Sequence, residues 1–417
     1  MAAHQLNILD LNDYCLGRIL KYLEIEDHVN FGQACTRFRE ALRDWSYVLY
    51  PVFEIRRSED IKLQLKLFFI VCDVVKKLFL DIGESTLQGG FPVDQFCNHV
   101  QSMDSLECFI INEGTGLGRM FKTANSVRDR IIEKTFKALE HLPKLKSISV
   151  TCGANSYDAS CLIQMKCLQE LSLNTKIAAE DLVEICKSNA NLRVLWLREV
   201  VGELNDIVPH CQNLEEIVFP MFSSHTTYAG LAELPNIKKI VIKSTNSTSP
   251  CAKLIELFSA FAAQRQNTQL QSLILLSSLN FEETTKLIEL KFLKELRCSF
   301  EDASCIDLLT DLTELEGLYI MLGRSGAGSK ECLNVLKSCK ILQRLHINSN
   351  LSTDFVDKAL EVLRKVRNTE KQKPLQLYST GVMHLCEEGE EKLVDNAYCS
   401  IVNHSEYLRP LPWRLSI

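Results

Sequence analysis

Several features that define other classes of protein are missing from this sequence of 417 residues. A net charge of −6 lacks the basic surplus that neutralises nucleic-acid phosphates, so we expect no nucleic-acid partner. The longest apolar run, LFFIVC at 67–72, is far shorter than the roughly 20 residues of a membrane-spanning helix, so we expect no membrane association. The first residues contain no basic segment followed by an apolar stretch, which predicts a cytoplasmic or nuclear chain.

Motifs that carry chemistry are missing as well. The chain has 17 cysteines but no CxxC pair, and zinc sites are usually built from such closely spaced pairs. It contains neither HExxH nor Gly-x-Ser-x-Gly. We therefore expect no metal, no cofactor and no catalytic residue, and we interpret most of the cysteines as small core residues.

The sequence does contain an internal repeat, LxxLxL, with three apolar anchors in every copy. The copies are LKSISV (145–150), LQELSL (168–173), LRVLWL (192–197), LEEIVF (214–219), IKKIVI (237–242), LQSLIL (270–275), LKELRC (293–298), LEGLYI (315–320) and LQRLHI (342–347), with looser matches at VKKLFL (75–80) and LECFII (106–111). Segments with helical apolar spacing follow, at 178–189, 251–264, 281–291 and 330–340. The apolar period thus changes from 2 to about 3.6 within each repeat.

One strand and one helix cannot enclose a core, but stacked neighbours can. Over about residues 70–380 the pattern resembles the leucine-rich-repeat family, and Cys211 and Cys339 before an anchor resemble its cysteine-containing subtype. The resemblance implies an α/β leucine-rich-repeat solenoid, with parallel strands on the concave face and helices on the convex face. The wider gap before Leu270, which contains NSTSP (246–250), departs from the family pattern.

The first fifty residues differ from the repeats. Apolar side chains recur at helical spacing at Leu11, Cys15, Leu16, Ile19, Leu20 and Leu23. We expect a second helix to start at Asp27 and a third at Thr36, because Asp and Thr accept hydrogen bonds from first-turn amides. Three short helices bury little surface by themselves, which predicts a partner for their apolar side.

This segment resembles an F-box, which implies binding to a Skp-family adaptor and, through it, to the cullin and RING subunits of a ubiquitin ligase. The residues that the resemblance assigns to adaptor binding are Leu11, Asn12, Leu16, Ile19, Leu20, Leu23, Cys35 and Phe38. Asn12 stands where the family usually has proline; since asparagine caps helices, we expect the helix start to be preserved, with adaptor affinity open to change. The alternative is an apolar cap on the repeat array.

We predict an F-box module at 1–48, a repeat solenoid at 49–400 with irregular first and last units, and a carboxy-terminal tail at 401–417. This organisation implies a non-catalytic substrate-recognition subunit of an SCF-type ubiquitin ligase that binds a target protein through its repeats. The alternative function is a leucine-rich-repeat scaffold that has no connection to ubiquitin.

Residues between the second and third anchors should face the concave side of the sheet, because strand side chains alternate. The row is Ser149, Ser172, Trp196, Val218, Val241, Ile274, Arg297, Tyr319 and His346, flanked by Arg198, Lys239, Lys243, Leu276, Met321 and Arg344. An exposed apolar strip with a basic rim is typical of a protein interface. We therefore predict substrate binding by Trp196, Arg198, Val218, Val241, Ile274, Tyr319, Met321, Arg344 and His346. Two alternatives are that the tail EYLRPLPWRLSI (406–417) covers this face, or that the residues are buried by packing within the sheet.

Overall fold

The structure, a computed structural model, describes residues 7–56, 60–82, 91–113, 122–151, 159–221, 227–243, 251–322, 328–382 and 397–403. The chain divides into two compact units, Met1–Gly202 and Glu203–Ile417. Each unit is described by itself below.

The first unit begins with a helical module. It contains a short 3-10 helix, Ile8–Asp10, followed by α1 (Asp13–Leu20), α2 (Ile25–Ala34) and α3 (Thr36–Leu49). The Asn12 side chain accepts a hydrogen bond from the Cys15 amide at 2.9 Å, which confirms that asparagine preserves the start of α1. Helix α3 starts at Thr36 as predicted. The predicted start of α2 is wrong by two residues, because Asp27 lies within the first turn, where its charge favours the helix amino terminus.

Six parallel strands follow within the described residues of the first unit, and neighbours in the chain are neighbours in the sheet. They are β1 (Val52–Ile55), β2 (Lys77–Ile82), β3 (Cys108–Glu113), β4 (Ser147–Val150), β5 (Glu170–Ala178) and β6 (Val194–Val201). Their connections include α4 (Ile61–Val71), a 3-10 helix (Cys72–Val74), α5 (Val93–Gln101), α6 (Lys122–Leu139), α7 (Ser160–Gln164) and α8 (Ala179–Ser188).

The described residues of the second unit contain eight parallel strands in chain order. They are β7 (Glu216–Pro220), β8 (Lys239–Lys243), β9 (Ser272–Leu279), β10 (Glu295–Phe300), β11 (Gly317–Leu322), β12 (Arg344–Leu351), β13 (Leu375–Val382) and β14 (Cys399–Asn403). Its helices are α9 (Cys251–Ala263), α10 (Phe281–Leu287), α11 (Ser304–Leu308), α12 (Ser329–Ser338) and α13 (Thr353–Val366), with 3-10 helices at Leu204–His210, Ala229–Glu233 and Leu309–Asp311.

The sequence repeat and the strands coincide. Every LxxLxL copy supplies one strand, which begins at the third residue of the motif, as Glu170 does in LQELSL. The anchors of that copy, Leu168, Leu171 and Leu173, are all buried. A helical module followed by parallel strands that alternate with helices confirms the predicted fold class.

Strands β1, β13 and β14 were not predicted. At β13 the register with β12 aligns Pro374 with the first anchor, Leu342, and Ser379 with the third, Ile347, so the motif is broken although Leu377 at the second anchor position is buried. Strand β14 runs to Asn403, so the predicted boundary between array and tail at residue 400 falls inside a strand.

The residue that ends a helix forms a hydrogen bond with backbone near the start of the strand that precedes that helix. Asn189 follows α8, and its side-chain oxygen accepts a hydrogen bond from the amide of Leu168, the first anchor of the same repeat, at 2.9 Å. Its side-chain amide donates to the Ile185 carbonyl at 3.0 Å. Both bonds are buried, so the Asn189 side chain satisfies polar backbone groups that water cannot reach.

Two other repeats use the same position with different side chains. Cys339 follows α12 and donates to the Leu312 carbonyl at 3.3 Å, and Arg367 follows α13 and donates to the Leu342 carbonyl at 2.5 Å. Each acceptor lies shortly before the strand that precedes the helix. The cysteine that the sequence indicated at the helix end therefore fixes that helix end to the backbone ahead of the strand.

We predict that Asn189→Ala lowers the free energy of unfolding by about 1–3 kcal/mol, because the buried Leu168 amide loses its acceptor. Urea unfolding monitored by circular dichroism measures the change. Asn30→Ala, at an exposed position of α2, is the control and should change stability by less than about 0.5 kcal/mol. Equal stabilities for the two variants would show that the Asn189 bonds do not stabilise the fold.

Candidate functional site

The helical module has its own core. Leu16 and Leu20 on α1 are fully buried, as are Val29 on α2 and Ala41 and Leu42 on α3. Four-residue spacing places Leu16 and Leu20 on the same inner side of α1. The prediction that these two leucines contact an adaptor directly is therefore corrected, since they lie in the interior and support the surface from beneath.

The remaining residues predicted to bind the adaptor are accessible. Asn12 is exposed, and the half-buried members are Leu11, Ile19, Leu23, Cys35 and Phe38. We call these six residues the module surface. The Phe38 ring is stacked on Phe31, with centroids 4.2 Å apart and an interplanar angle of 8°, so Phe38 is held in place while part of it reaches solvent.

A buried histidine joins the module to the first strand of its unit. Nε2 of His28 lies 2.7 Å from the Leu20 carbonyl, and Nδ1 is hydrogen-bonded to the Tyr50 hydroxyl. The Leu20 carbonyl can only accept, so Nε2 carries a proton and donates to it. Burial raises the pKa of Tyr50 well above its usual value. The Tyr50 ring packs against Phe53 of β1 at 5.8 Å between centroids.

Gly17, next to the inner side of α1, packs against an indole. A Cβ atom added at Gly17 would overlap the Trp45 ring, so only glycine permits this close approach. Trp45 also makes an edge contact with Tyr14, with centroids 6.3 Å apart, and Lys21 Nζ lies 5.6 Å from the Trp45 centroid. The indole therefore fixes the position of α1 against α3.

The second predicted site lies on the side of each sheet that carries the residues between anchors, which we call the front face. In the second unit, hydrogen-bonded register aligns one residue from each of seven strands in a middle row: Val218, Val241, Ile274, Arg297, Tyr319, His346 and Tyr378. In the first unit, Ser149, Ser172 and Trp196 are aligned in the same way. The predicted order of residues along the row is therefore present within each unit.

The predicted exposure of this row is wrong for four of the residues predicted to bind a substrate, and Ser149 of the row is buried as well. In the second unit Val218, Val241 and His346 expose 0%, 1% and 3% of their surface, and in the first unit Trp196 exposes 5%. Large side chains on strands about 4.8 Å apart pack against one another, and β8 is buried on both of its sides. These four residues are part of the packed structure of their units. The alternative in which residues 406–417 cover the face concerns residues outside the described part of the chain.

The accessible part of the front face in the second unit lies further along the sheet. Ile274, Arg297, Tyr319 and Met321 are half-buried, and Arg344 is exposed. In the first unit Arg198 is exposed, and its guanidinium donates to the Asn174 carbonyl at 3.4 Å. The predicted substrate residues thus separate into buried members and accessible ones.

Charged pairs border the accessible part. Glu295 on β10 forms an ion pair with Arg344 on β12, across the intervening strand β11. That strand contributes Gly317 at this point, and an added Cβ would lie 3.5 Å from the Arg344 guanidinium. The missing side chain leaves room for the pair.

Burial lowers the pKa of Lys243, at the end of β8, below its usual value.

An arginine lies stacked within this row. The Arg297 guanidinium carbon is 4.2 Å from the Tyr319 centroid, the Tyr319 and His346 centroids are 3.9 Å apart, and His346 makes an edge contact with Tyr378 at 6.0 Å. Arg297 lies in the row that the sequence predicts but is not among the predicted binding residues. Tyr378 was missed with β13; the buried alternation of Leu375 and Leu377 was the available signal.

Comparison with known protein families identifies the helical module. Residues 8–48 match the F-box domain family. This module is an F-box. F-box domains typically bind adaptors of the Skp family, so the module surface is the candidate adaptor site.

Comparisons over the rest of the chain are weaker. No curated protein matches the sequence. Similar solved structures include an internalin from Listeria monocytogenes at 15% identity and TM-score 0.34, covering 68% of this chain and 78% of that one. Others are a leucine-rich-repeat protein from Leptospira interrogans at 14% identity and TM-score 0.30 (76% and 93% covered), and the Drosophila Toll–Spätzle complex at 12% and 0.34 (74% and 44%). The assignment of the repeats rests instead on the sequence motif and the strands: every LxxLxL copy after the F-box supplies one parallel strand, which shows that leucine-rich repeats follow the F-box.

The combination of an F-box and leucine-rich repeats is typical of non-catalytic adaptor or receptor proteins. Burial raises the pKa of Cys332 and Cys339 to about 12 and that of Cys399 to about 11, so these thiols carry little nucleophilic thiolate at neutral pH. Within the described ranges, no group of His, Cys, Asp or Glu side chains is arranged to hold a metal ion. The part of the chain that the structure describes has no helix with the length and apolar character needed to cross a membrane.

We predict that Gly17→Ala in the F-box lowers the free energy of unfolding by about 1–3 kcal/mol, because the added methyl group overlaps the Trp45 ring. Without this contact, alanine would stabilise the middle of a helix by about 1 kcal/mol. Urea unfolding of Gly17→Ala, Trp45→Ala and the double variant measures the coupling between the two positions. Additive effects would mean that the indole does not determine the requirement for glycine.

Proposed function

We propose that this chain is a substrate-recognition subunit of an SCF-type ubiquitin ligase. Its F-box holds a Skp-family adaptor, and through it the cullin and RING subunits, while its leucine-rich repeats hold a target protein that is marked for proteasomal degradation. The observation that carries the proposal is the F-box at residues 8–48 at the head of a leucine-rich-repeat chain. The subunit itself supplies no catalytic group; it raises the effective concentration of target lysines near the charged ubiquitin.

The module surface supports the adaptor contact. The F-box core is already complete with Leu16 and Leu20, so the part-exposed side chains of Ile19, Leu23 and Phe38 are available to a partner. Burying apolar surface in an interface stabilises a complex by roughly 25 cal/mol per Å². An adaptor that covers these side chains would bind largely through the hydrophobic effect.

The accessible part of the front face in the second unit supports target binding. It combines an aliphatic, an aromatic and a thioether side chain, Ile274, Tyr319 and Met321, with the charged group of Arg344. Tyr and Arg are enriched among the residues that dominate binding energy in protein interfaces, and Met is also enriched there. Arg198 in the first unit remains a proposed contact, whereas Trp196, Val218, Val241 and His346 would act by supporting the surface.

We predict that Ile19→Asp combined with Leu23→Asp weakens co-purification of the Skp-family adaptor at least tenfold, because a buried interface would then contain unpaired charges. The measurement is recovery of the adaptor with the tagged full-length chain. Both wild-type residues are half-buried, so Asp at these positions can reach solvent in the free protein.

The control is Tyr47→Ser, which removes an exposed aromatic side chain from α3 outside the module surface. It should recover as much adaptor as the wild type. Absence of the adaptor from the wild-type preparation would favour the scaffold function, and equal recovery with the double variant would exclude the proposed contact surface.

We predict that Ile274→Asp combined with Tyr319→Asp reduces capture of target proteins at least tenfold without loss of the adaptor. The measurement is proximity labelling by the tagged chain under proteasome inhibition, comparing proteins enriched with wild type and variant. The physical reason is that charge replaces apolar surface at the centre of the proposed interface.

Phe281→Asp provides a matched control, because Phe281 is an exposed aromatic at the start of α10 in the same unit and lies off the front face. Its labelled proteins should equal those of the wild type. If the front-face variant retains all of them, the target is bound elsewhere.

A further inference from the structure

Within the part of the chain that the structure describes, Arg297 on β10 is a cation without an ion-pair partner. Its Nε atom is buried and has no hydrogen-bond partner, and no ion pair involves this side chain among the described residues. A buried polar group that lacks a partner is unfavourable, and a partly desolvated charge more so. Of the three guanidinium nitrogens only Nε is buried without a partner, and the residue is half-buried, so the terminal nitrogens remain accessible from solvent.

Neighbouring side chains hold this guanidinium in place. The Tyr319 ring lies 4.2 Å from the guanidinium carbon and covers it, and Tyr319 is itself held against His346. Stacking on an aromatic ring orders the planar group while leaving its N–H donors free to point outward. The arginine is therefore arranged in advance for a ligand that accepts two parallel hydrogen bonds.

The nearest acidic residue on the same side of β10 is already engaged. Glu295 lies two residues before Arg297 and pairs with Arg344, a contact for which Gly317 leaves room. Two residues further along the same strands, the Ser299 hydroxyl of β10 donates to the Met321 carbonyl of β11 at 3.1 Å. The described surroundings thus organise Arg297 without neutralising it.

We propose that Arg297 is a binding site for an oxyanion, a carboxylate or phosphate group, carried by the target protein. Arginine recognises both groups through paired N–H donors, which gives strong and directional contacts. Assigning the oxyanion to a target rests on the proposed function. Binding of the anion itself does not, and can be measured on the isolated chain.

The test measures how the thermal unfolding midpoint of the full-length chain rises with inorganic phosphate and with acetate, relative to chloride at equal ionic strength. A ligand that binds only the folded state raises the unfolding midpoint, and the dependence of the midpoint on ligand concentration gives an apparent affinity. We expect phosphate to bind wild type at least tenfold more tightly than Arg297→Gln. Arg297→Lys, which keeps the charge but loses the planar fork, should lie between them.

Arg265→Gln is the matched control, since Arg265 is an exposed arginine of the same unit that follows α9. It should bind phosphate as the wild type does. Circular dichroism and the unfolding midpoint in chloride establish that each variant is folded. If Arg297→Gln is not folded, Arg297→Lys replaces it in the comparison with the wild type. A response to acetate as well as phosphate supports an acidic side chain or chain end, and a response to phosphate alone supports a phosphorylated residue.

An equal rise for wild type and Arg297→Gln, or no rise beyond chloride in the wild type, overturns the inference. The two proposals fail separately. Adaptor recovery and target capture that persist without anion binding would remove the oxyanion site alone. Anion binding in a chain that recovers no adaptor would leave the site and remove the ligase function.

Discussion

The burial of three apolar anchors per repeat is the constraint from which the other features of both units follow. A single LxxLxL segment with its helix cannot cover its own leucines, so each repeat is stable only against its neighbours. Strands whose anchors share one register must also align the residues between the anchors. The rows of the front face are thus a consequence of core packing, and any function there uses side chains that are not anchors of the core.

Hydrogen bonds from polar side chains add to the apolar contacts that the anchors make. Asn189, Cys339 and Arg367 occupy one position in three repeats, yet they differ in size and charge. Each forms a hydrogen bond with backbone near the start of the strand that precedes its helix, so different side chains make a similar connection at these three helix ends. At the head of the chain, His28 and Tyr50 play a comparable part by joining the F-box helices to the first repeat of their unit.

The front face of the second unit shows how one side of a sheet divides between packing and recognition. Val218 and Val241 are buried, whereas Ile274, Arg297 and Tyr319 in the same row retain accessible surface. Gly317 has no side chain that could stand between Glu295 and Arg344, and these two residues neutralise each other across its strand. Arg297 is then ordered by an aromatic ring rather than by an acid, an arrangement that suits a ligand bringing its own negative charge.

Local periodicity by itself determined a great deal of this protein. The repeat gave eleven strands, their parallel order and the inward direction of the anchors, and the apolar stripe with its Asn12 cap gave the F-box helices. Periodicity did not detect β13, where Pro374 and Ser379 stand at the first and third anchor positions, or β14, where Asn403 stands at the third. Tertiary structure alone decided that Leu16, Leu20, Trp196 and Val218 are interior and that Arg297 lies on Tyr319. Alternation along a strand or helix fixes the direction in which a side chain points, but its exposure depends on groups distant in sequence that folding brings against it.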